Sequence, residues 1–487
     1  MKISRLFCLT GLSSVLLLAW VSAAAGPPPR WFVDESKLPF DALPGATAYW
    51  GMHTGAGYRI EVPDNWNGDL VIWAHGFREI NPMDPEYLEL TVDNHPLRDL
   101  LIPLGYAWAA SSYSRNDYDV STGVQDSHAL TKRFNGIVGK PDRVYFSGAS
   151  MGGHITAVAI EQYPNAYDGA LPVCGVVGDF EQFDFFMDFN VSAQQLGTGN
   201  SYYPVDPVQY VLFTVPAIKA NLEAIPGAWP FALNTDGENL KSLTELRSGG
   251  ERPNFDEAWF FWNAFPDLLS GPGNFLFDLG TTDGTLIRSP GIAADNYDVV
   301  YQFDRDPALT AAEEAFNAVV FRRMADPQAR NKNGLAQAPV ITGDIRIPVL
   351  TLHNLGDLFV PVHNEIEYAS RVKARGNSDM LVQRAIRGVG HCEFTPVELS
   401  NAFLDLVAWV EAGVKPAGDD WLDPSKVAVP EFGCSFTYFD SPPGFPCIGH
   451  NPFFTPPWPE LGSAPRRVPA LVAGFCVAGS GGLPPSG

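Results

Sequence analysis

Arg143-Val144-Tyr145-Phe146-Ser147-Gly148-Ala149-Ser150-Met151-Gly152 decides how this chain folds. Arg143 to Ser147 is an apolar run without polar alternation, as in a strand buried on both faces of a parallel sheet. The run breaks at Gly148, and Gly153 to Tyr163 has a helical pattern. A serine at such a strand-to-helix elbow sits in a strained turn, where flanking glycines relieve crowding and leave its hydroxyl exposed. The helix that follows aims its positive N-terminal end at the same spot. Ser150 is the candidate nucleophile. A GxSxG string alone is common by chance, and its placement is what makes this one informative.

Four more short apolar runs flank it: Asp69 to Ala74, ending at His75-Gly76-Phe77; Gly105 to Ala110; Gly169 to Gly175; and Ile347 to Leu352. Helical patterns lie between them, such as Asp126 to Phe134, and strands alternating with helices predict an α/β sheet, mostly parallel. The regularity stops after Gly178 and resumes near Ile345. The stretch between is dense in aromatics, among them Phe180, Phe185, Phe186, Trp259 and Trp262, and is expected to be a large, mainly helical cap insertion. Those rings are expected to be cap core more often than ligand wall. Even so, trimming Phe185 or Trp262 is expected to alter KM and selectivity more than acylation. From about Lys415 the chain is Pro-rich, and Trp421, Phe453, Phe454 and Trp458 predict that most of this tail packs onto the surface. The expected division is a leader 1–25, core 26–178, cap 179–340, core 341–414 and a C-terminal extension 415–487.

A serine nucleophile needs a base and an orienting acid. In the order nucleophile, acid, histidine, only His391 and His450 follow a plausible acid. His391 lies in a Gly-flexed loop before a helix beginning near Pro396, whereas His450 sits in the Pro-rich tail. Asp357 follows the run Ile347 to Leu352 and is the candidate acid. Asp179 is the alternative, and Glu393 is too close to His391 to orient its ring. For the oxyanion hole, the backbone N–H of Met151 and that of Phe77 are the candidate donors, each worth about 3 kcal/mol in a transition state. His75 is expected to orient the Phe77 loop.

His75-Gly76, the elbow Gly148 to Gly152, Asp357 and His391 resemble the α/β-hydrolase superfamily in order and context, over roughly residues 45–178 and 341–412. The resemblance implies carboxylic-ester hydrolysis through an acyl-enzyme, with catalytic Ser150, His391 and Asp357 and no cofactor or metal. Cys392, directly after the histidine, is similar to secreted esterases of the tannase and feruloyl-esterase type. That group also has a Cys directly before the serine, where this chain has Ala149. Polyester depolymerases and prolyl-peptidase-like hydrolases resemble it as well, so a serine peptidase is the alternative. A non-catalytic hydrolase-like binding protein is the other class, although such proteins typically lose a triad member.

Composition bounds the partners. Of 487 residues 55 are acidic and 32 basic, a net charge of −23, which repels nucleic acid and anionic membrane surfaces. The expected partner is a small-molecule or polymeric ester. Lys2 and Arg5, the apolar run Leu6 to Val21 and the small residues Ser22 to Ala25 form a secretory-type leader, with a secreted or periplasmic protein and no membrane span expected. Beyond the leader lie Cys174, Cys392, Cys434, Cys447 and Cys476, an odd set in a compartment where disulfides persist. Cys174 ends the strand after the nucleophile helix and Cys392 adjoins His391. The expected bridges are Cys174–Cys392 and Cys434–Cys447, with Cys476 unpaired.

Overall fold

Each apolar run around the serine is a strand. The computed structural model describes residues 31–78, 88–269, 275–279, 285–286, 289–330 and 337–438. Strands β1 (Ala46–His53), β2 (Ala56–Pro63), β3 (Asp69–Ala74), β4 (Ala107–Ser111), β5 (Arg143–Ala149), β6 (Gly169–Val173), β9 (Val349–Asn354) and β10 (Leu381–Ile386) form one sheet. Its order is β1-β2-β4-β3-β5-β6-β9-β10. The pairs from β4 to β10 are parallel, and β1 and β2 are antiparallel additions. β3, β4, β6 and β9 are buried along their whole length. Alternate side chains of β3 face opposite layers: Leu70, Ile72 and Ala74 enter one core, Val71 and Trp73 the other.

Helices α1 (Arg98–Leu101), α2 (Val120–Ile137) and α3 (Met151–Gln162) belong to the first half of the sheet. The connection from β6 to β9 carries α4 (Glu181–Thr198), α5 (Pro207–Gln209), α6 (Val215–Leu222), α7 (Thr235–Arg247), α8 (Phe255–Leu269), α9 (Phe275–Asp278) and α10 (Ala311–Val319), with a small hairpin β7 (Thr285–Leu286) and β8 (Ser289–Ile292). After β9 come α11 (His363–Ala374), α12 (Pro396–Ala412) and α13 (Pro424–Val427). α2, α3 and α11 cover one face of the sheet, through residues such as Val124, Ile155 and Tyr368; α1 and α12 cover the other through Leu101 and Leu406. α12 starts where sequence placed it, because Thr395 and Glu398 form a capping box ahead of Pro396.

The insertion has its own apolar core, in which Phe189, Trp259 and Trp262 pack with Leu358 and Val389 of the main sheet's loops. The tail is docked as far as it is described: Trp421, Val427 and Phe432 pack on Leu355, Val362 and Ala385. Asp419 donates its N–H to Gln383 O at 2.7 Å and accepts from Ala385 N at 2.8 Å, so the exposed edge of β10 is covered. Phe453, Phe454 and Trp458 lie outside the described residues.

Candidate active site

Ser150 caps α3 with φ 58° and ψ −122°, the strained conformation an elbow requires. Close packing explains the glycines beside it. A Cβ on Gly148 would stand 2.2 Å from Gly152 O, and one on Gly152 would stand 2.1 Å from Ala74 O. The elbow is pinned to the next strand, since Ser150 N donates to Val173 O (3.1 Å) and Ser150 O accepts from Val176 N (3.2 Å). Sequence predicted an exposed hydroxyl, but Ser150 keeps only 9% of its accessible surface. The reason is the turn after β3: a Cβ on Gly76 would lie 3.7 Å from Ser150 Oγ, so the Gly76 backbone lies across the serine.

His391 and Asp357 meet in the loops that follow β10 and β9. His391 Nδ1 lies 2.6 Å from Asp357 Oδ2, and the other carboxylate oxygen accepts from Phe359 N and Val360 N at 2.9 Å each. With the carboxylate acting as acceptor, Nδ1 is the donor, and in the neutral ring Nε2 is then the nitrogen with the lone pair. The Phe359 ring stands edge-on to the imidazole, 5.0 Å between centroids. Asp179, the alternative acid, is committed elsewhere, with Oδ2 paired to Arg371 and accepting from Ile341 N. Glu393 closes the histidine loop by accepting from Val389 N (3.1 Å) and Gly390 N (2.8 Å). His450 lies outside the described residues.

Met151 N–H heads α3, where no intrahelical acceptor exists. Among the described residues neither it nor Phe77 N–H donates a hydrogen bond. His75 is buried, stacked on Tyr113 at 4.0 Å, with Nδ1 2.8 Å from Gly76 O and Nε2 3.2 Å from Ser112 O. Burial first, and then the Arg78 charge, push it down to about 4, so the ring is neutral at physiological pH. Arg78 pairs with Asp93 at 2.9 Å and anchors the end of the Phe77 turn.

A disulfide joins Cys174 to Cys392, with Cα atoms 5.2 Å apart. Both cysteines have positive φ, 44° and 55°. Val173 is the register partner of Ala149, so the bridge departs one strand away from Ser150 and lands beside His391. Both sulfurs and a His391 ring nitrogen lie within 4.8 Å of one another, but oxidised sulfurs offer a metal no thiolate. Cys434 is also disulfide-bonded; Cys447 and Cys476 lie outside the described residues.

Several groups that hold the pair were missed from sequence. Asn354 exchanges two hydrogen bonds with Glu393, Nδ2 to Glu393 O at 2.8 Å and Glu393 N to Oδ1 at 2.9 Å. His353 Nε2 lies 2.6 Å from Val360 O, and Nδ1 lies 3.2 Å from Glu365 Oε1. Burial opposes its protonation most, yet Glu365, Asp357 and the Val360 carbonyl together outweigh burial and raise its pKa. Trp262 Nε1 donates to both Gly356 O and Val389 O at 2.9 Å. Asn354 and His353 end the strand that leads to Asp357, which is a local signal for their place; Trp262 has no local signal for its role.

No family model matches the chain. It is 21% identical over 407 residues to the o-phthalyl amidase of Xanthobacter agilis, covering 74% of this chain and 87% of that protein. Among solved structures, an esterase from Aspergillus oryzae superposes with a TM-score of 0.44 at 15% identity, over 76% of this chain and 80% of that one. Feruloyl esterase B from Aspergillus oryzae gives 0.43 at 15%, over 77% and 81%. By its own sheet order, with helices on both faces and a serine elbow after β5, the chain has the α/β-hydrolase fold.

Proposed function

We propose that this chain is an exported serine hydrolase cleaving carboxylic esters, hydrophobic or aromatic ones by preference. The observation that carries the reading is the 2.6 Å His391–Asp357 bond at the end of the sheet from which the Ser150 elbow emerges. His391 Nε2 takes the Ser150 hydroxyl proton as Oγ attacks the ester carbonyl carbon. The resulting oxyanion is held by the N–H groups of Met151 and Phe77, and the imidazolium by Asp357. Collapse expels the alkoxide, which leaves as the alcohol with the His391 proton. Water then repeats the sequence on the acyl-enzyme and frees the acid. These steps draw on no cofactor. Residues 179–340 act as the cap and 415–487 as an extension.

Export rests on the leader 1–25 and on the disulfides. Among the described residues no helix is long and apolar enough to cross a membrane. A second reading, amide hydrolysis by the same groups, is favoured by the similarity to an o-phthalyl amidase along most of both chains.

The test is a fluorophosphonate label followed by peptide mapping, with p-nitrophenyl esters assayed against phthalyl and aminoacyl anilides. Labelling at Ser150 is expected, together with loss of turnover in Ser150→Ala by about 10⁴-fold or more at unchanged Tm. Ester hydrolysis near the wild-type rate in that variant would remove the reading. Faster anilide than ester turnover would select the amide form.

A further inference from the structure

The loop carrying Asp357 is held mainly by the helical insertion. Of its carbonyls, Leu355 O accepts from Arg252 Nε at 2.7 Å, Gly356 O from Trp262 Nε1 at 2.9 Å, and Phe359 O from Gln182 Nε2 at 2.6 Å. Gln182 is on α4, Trp262 on α8, and Arg252 precedes α8. Val360 O is held from the sheet side, by His353. Leu358 and Val389, one from each catalytic loop, are part of the insertion's apolar core.

Trp262 occupies the decisive place. The parallel ladder between β9 and β10 runs on past both strands, as Leu355 N to Ile386 O and Gly356 N to Gly388 O, each 2.8 Å. There it ends. The next two carbonyls, Gly356 O and Val389 O, face the apolar insertion, where an unsatisfied acceptor is costly. The indole N–H serves both at once, one on the acid's loop and one two residues before His391. Trp262 is itself 6% exposed, so its ring packing and its hydrogen bonds are fixed together.

We propose that Trp262 is a positioning residue for the Asp357–His391 pair, so that the insertion sets the rate of the chemical step as well as the choice of substrate. This departs from the sequence-based expectation that Trp262 acts mainly on KM, and it rests on the reading of Ser150, His391 and Asp357 as the triad. Displacing reacting groups by even about 1 Å costs on the order of 10²-fold in rate.

Trp262→Phe keeps a ring at the site and removes the donor. Trp259 on the same helix supplies a matched control: it is 3% exposed and its Nε1 has no hydrogen-bond partner among the described residues, so Trp259→Phe makes the same ring change without losing a bond. Both full-length variants are compared with wild type for kcat and KM on two esters of different acyl size, fluorophosphonate labelling rate, and Tm. The expected result for Trp262→Phe is a 10- to 100-fold lower kcat and labelling rate, with KM within about threefold. Trp259→Phe is expected to keep the wild-type kcat and labelling rate. The proposal is overturned if Trp262→Phe keeps the wild-type kcat, whether or not KM shifts. It is equally overturned if both variants lose kcat alike in step with Tm. Absence of wild-type labelling at Ser150 would instead bring down the triad reading, and this proposal with it.

Discussion

At the residue scale, two buried aspartates compete for the role of acid, and their partners separate them. Asp357 spends one oxygen on His391 and the other on two backbone N–H groups, whereas Asp179 spends one on Arg371 and Ile341 N. Asp357→Asn is expected to lower kcat by roughly 10⁴-fold, because the amide holds the imidazole in the wrong tautomer. Asp179→Asn is expected to keep kcat within a fewfold and to lose roughly 1–3 kcal/mol of stability, since Arg371 loses its buried partner and keeps only the half-exposed Glu367. Steady-state kinetics and denaturant unfolding of the two variants check this. Reversed outcomes would transfer the acid's role to Asp179.

At the element scale, the insertion's aromatics divide by packing. Phe185 is 2% exposed and lies against Phe186 and His363. Phe185→Ala is therefore expected to cost about 3–5 kcal/mol of stability, and the neighbouring ring is the one expected to act on selectivity. Phe186 is half-buried and stacks on Phe359 at 6.1 Å, whose ring meets His391 edge-on. Phe186→Ala is expected to raise KM for aryl esters severalfold over alkyl esters; an unchanged ratio would make this ring core as well. The histidine loop is a second element with a dedicated tether. Replacing both Cys174 and Cys392 by Ser removes the only covalent link between that loop and β6 among the described residues. The expected cost is about 2–5 kcal/mol in unfolding together with a fall in kcat, and wild-type kcat in the double variant would show that Glu393 and Asn354 hold the loop without it.

At the scale of the whole molecule, charge at the far end of the sheet sets a pH dependence separate from catalysis. Asp69, at the start of β3, is raised to about 6, by burial most of all, with Arg143 opposing and Glu411 adding to the shift. Its folded-state pKa lies above the unfolded value, so ionising it costs the folded state more than the unfolded one. The associated stability is present below about pH 4 and is lost as pH rises through about 6. Asp69→Asn is expected to match wild type in Tm near pH 4 and to exceed it above pH 6; a constant Tm difference across that range would contradict the assignment.

Much of this architecture is legible in local sequence, because the signals are short-range. A buried parallel strand announces itself by an unbroken apolar run, an elbow by glycines around a serine, and α12 by its capping box. Ser150, Asp357 and His391 could be chosen from order along the chain, and Cys174 and Cys392 by their adjacency to strand end and base. The hairpin of β1 and β2 and the edge strand β10 carry no such run, since their sequences mix polar and apolar residues and gain meaning only beside a neighbouring strand. The same is true of the residues that hold the acid. Arg252, Trp262 and Gln182 reach the Asp357 loop across sequence separations of 103, 94 and 177 residues. The groups proposed to do the chemistry were determined by the sequence, whereas the donors that fix their positions were decided by the tertiary structure. An orphan carbonyl is satisfied by whichever N–H packing brings within 3 Å, and no local pattern encodes that distance.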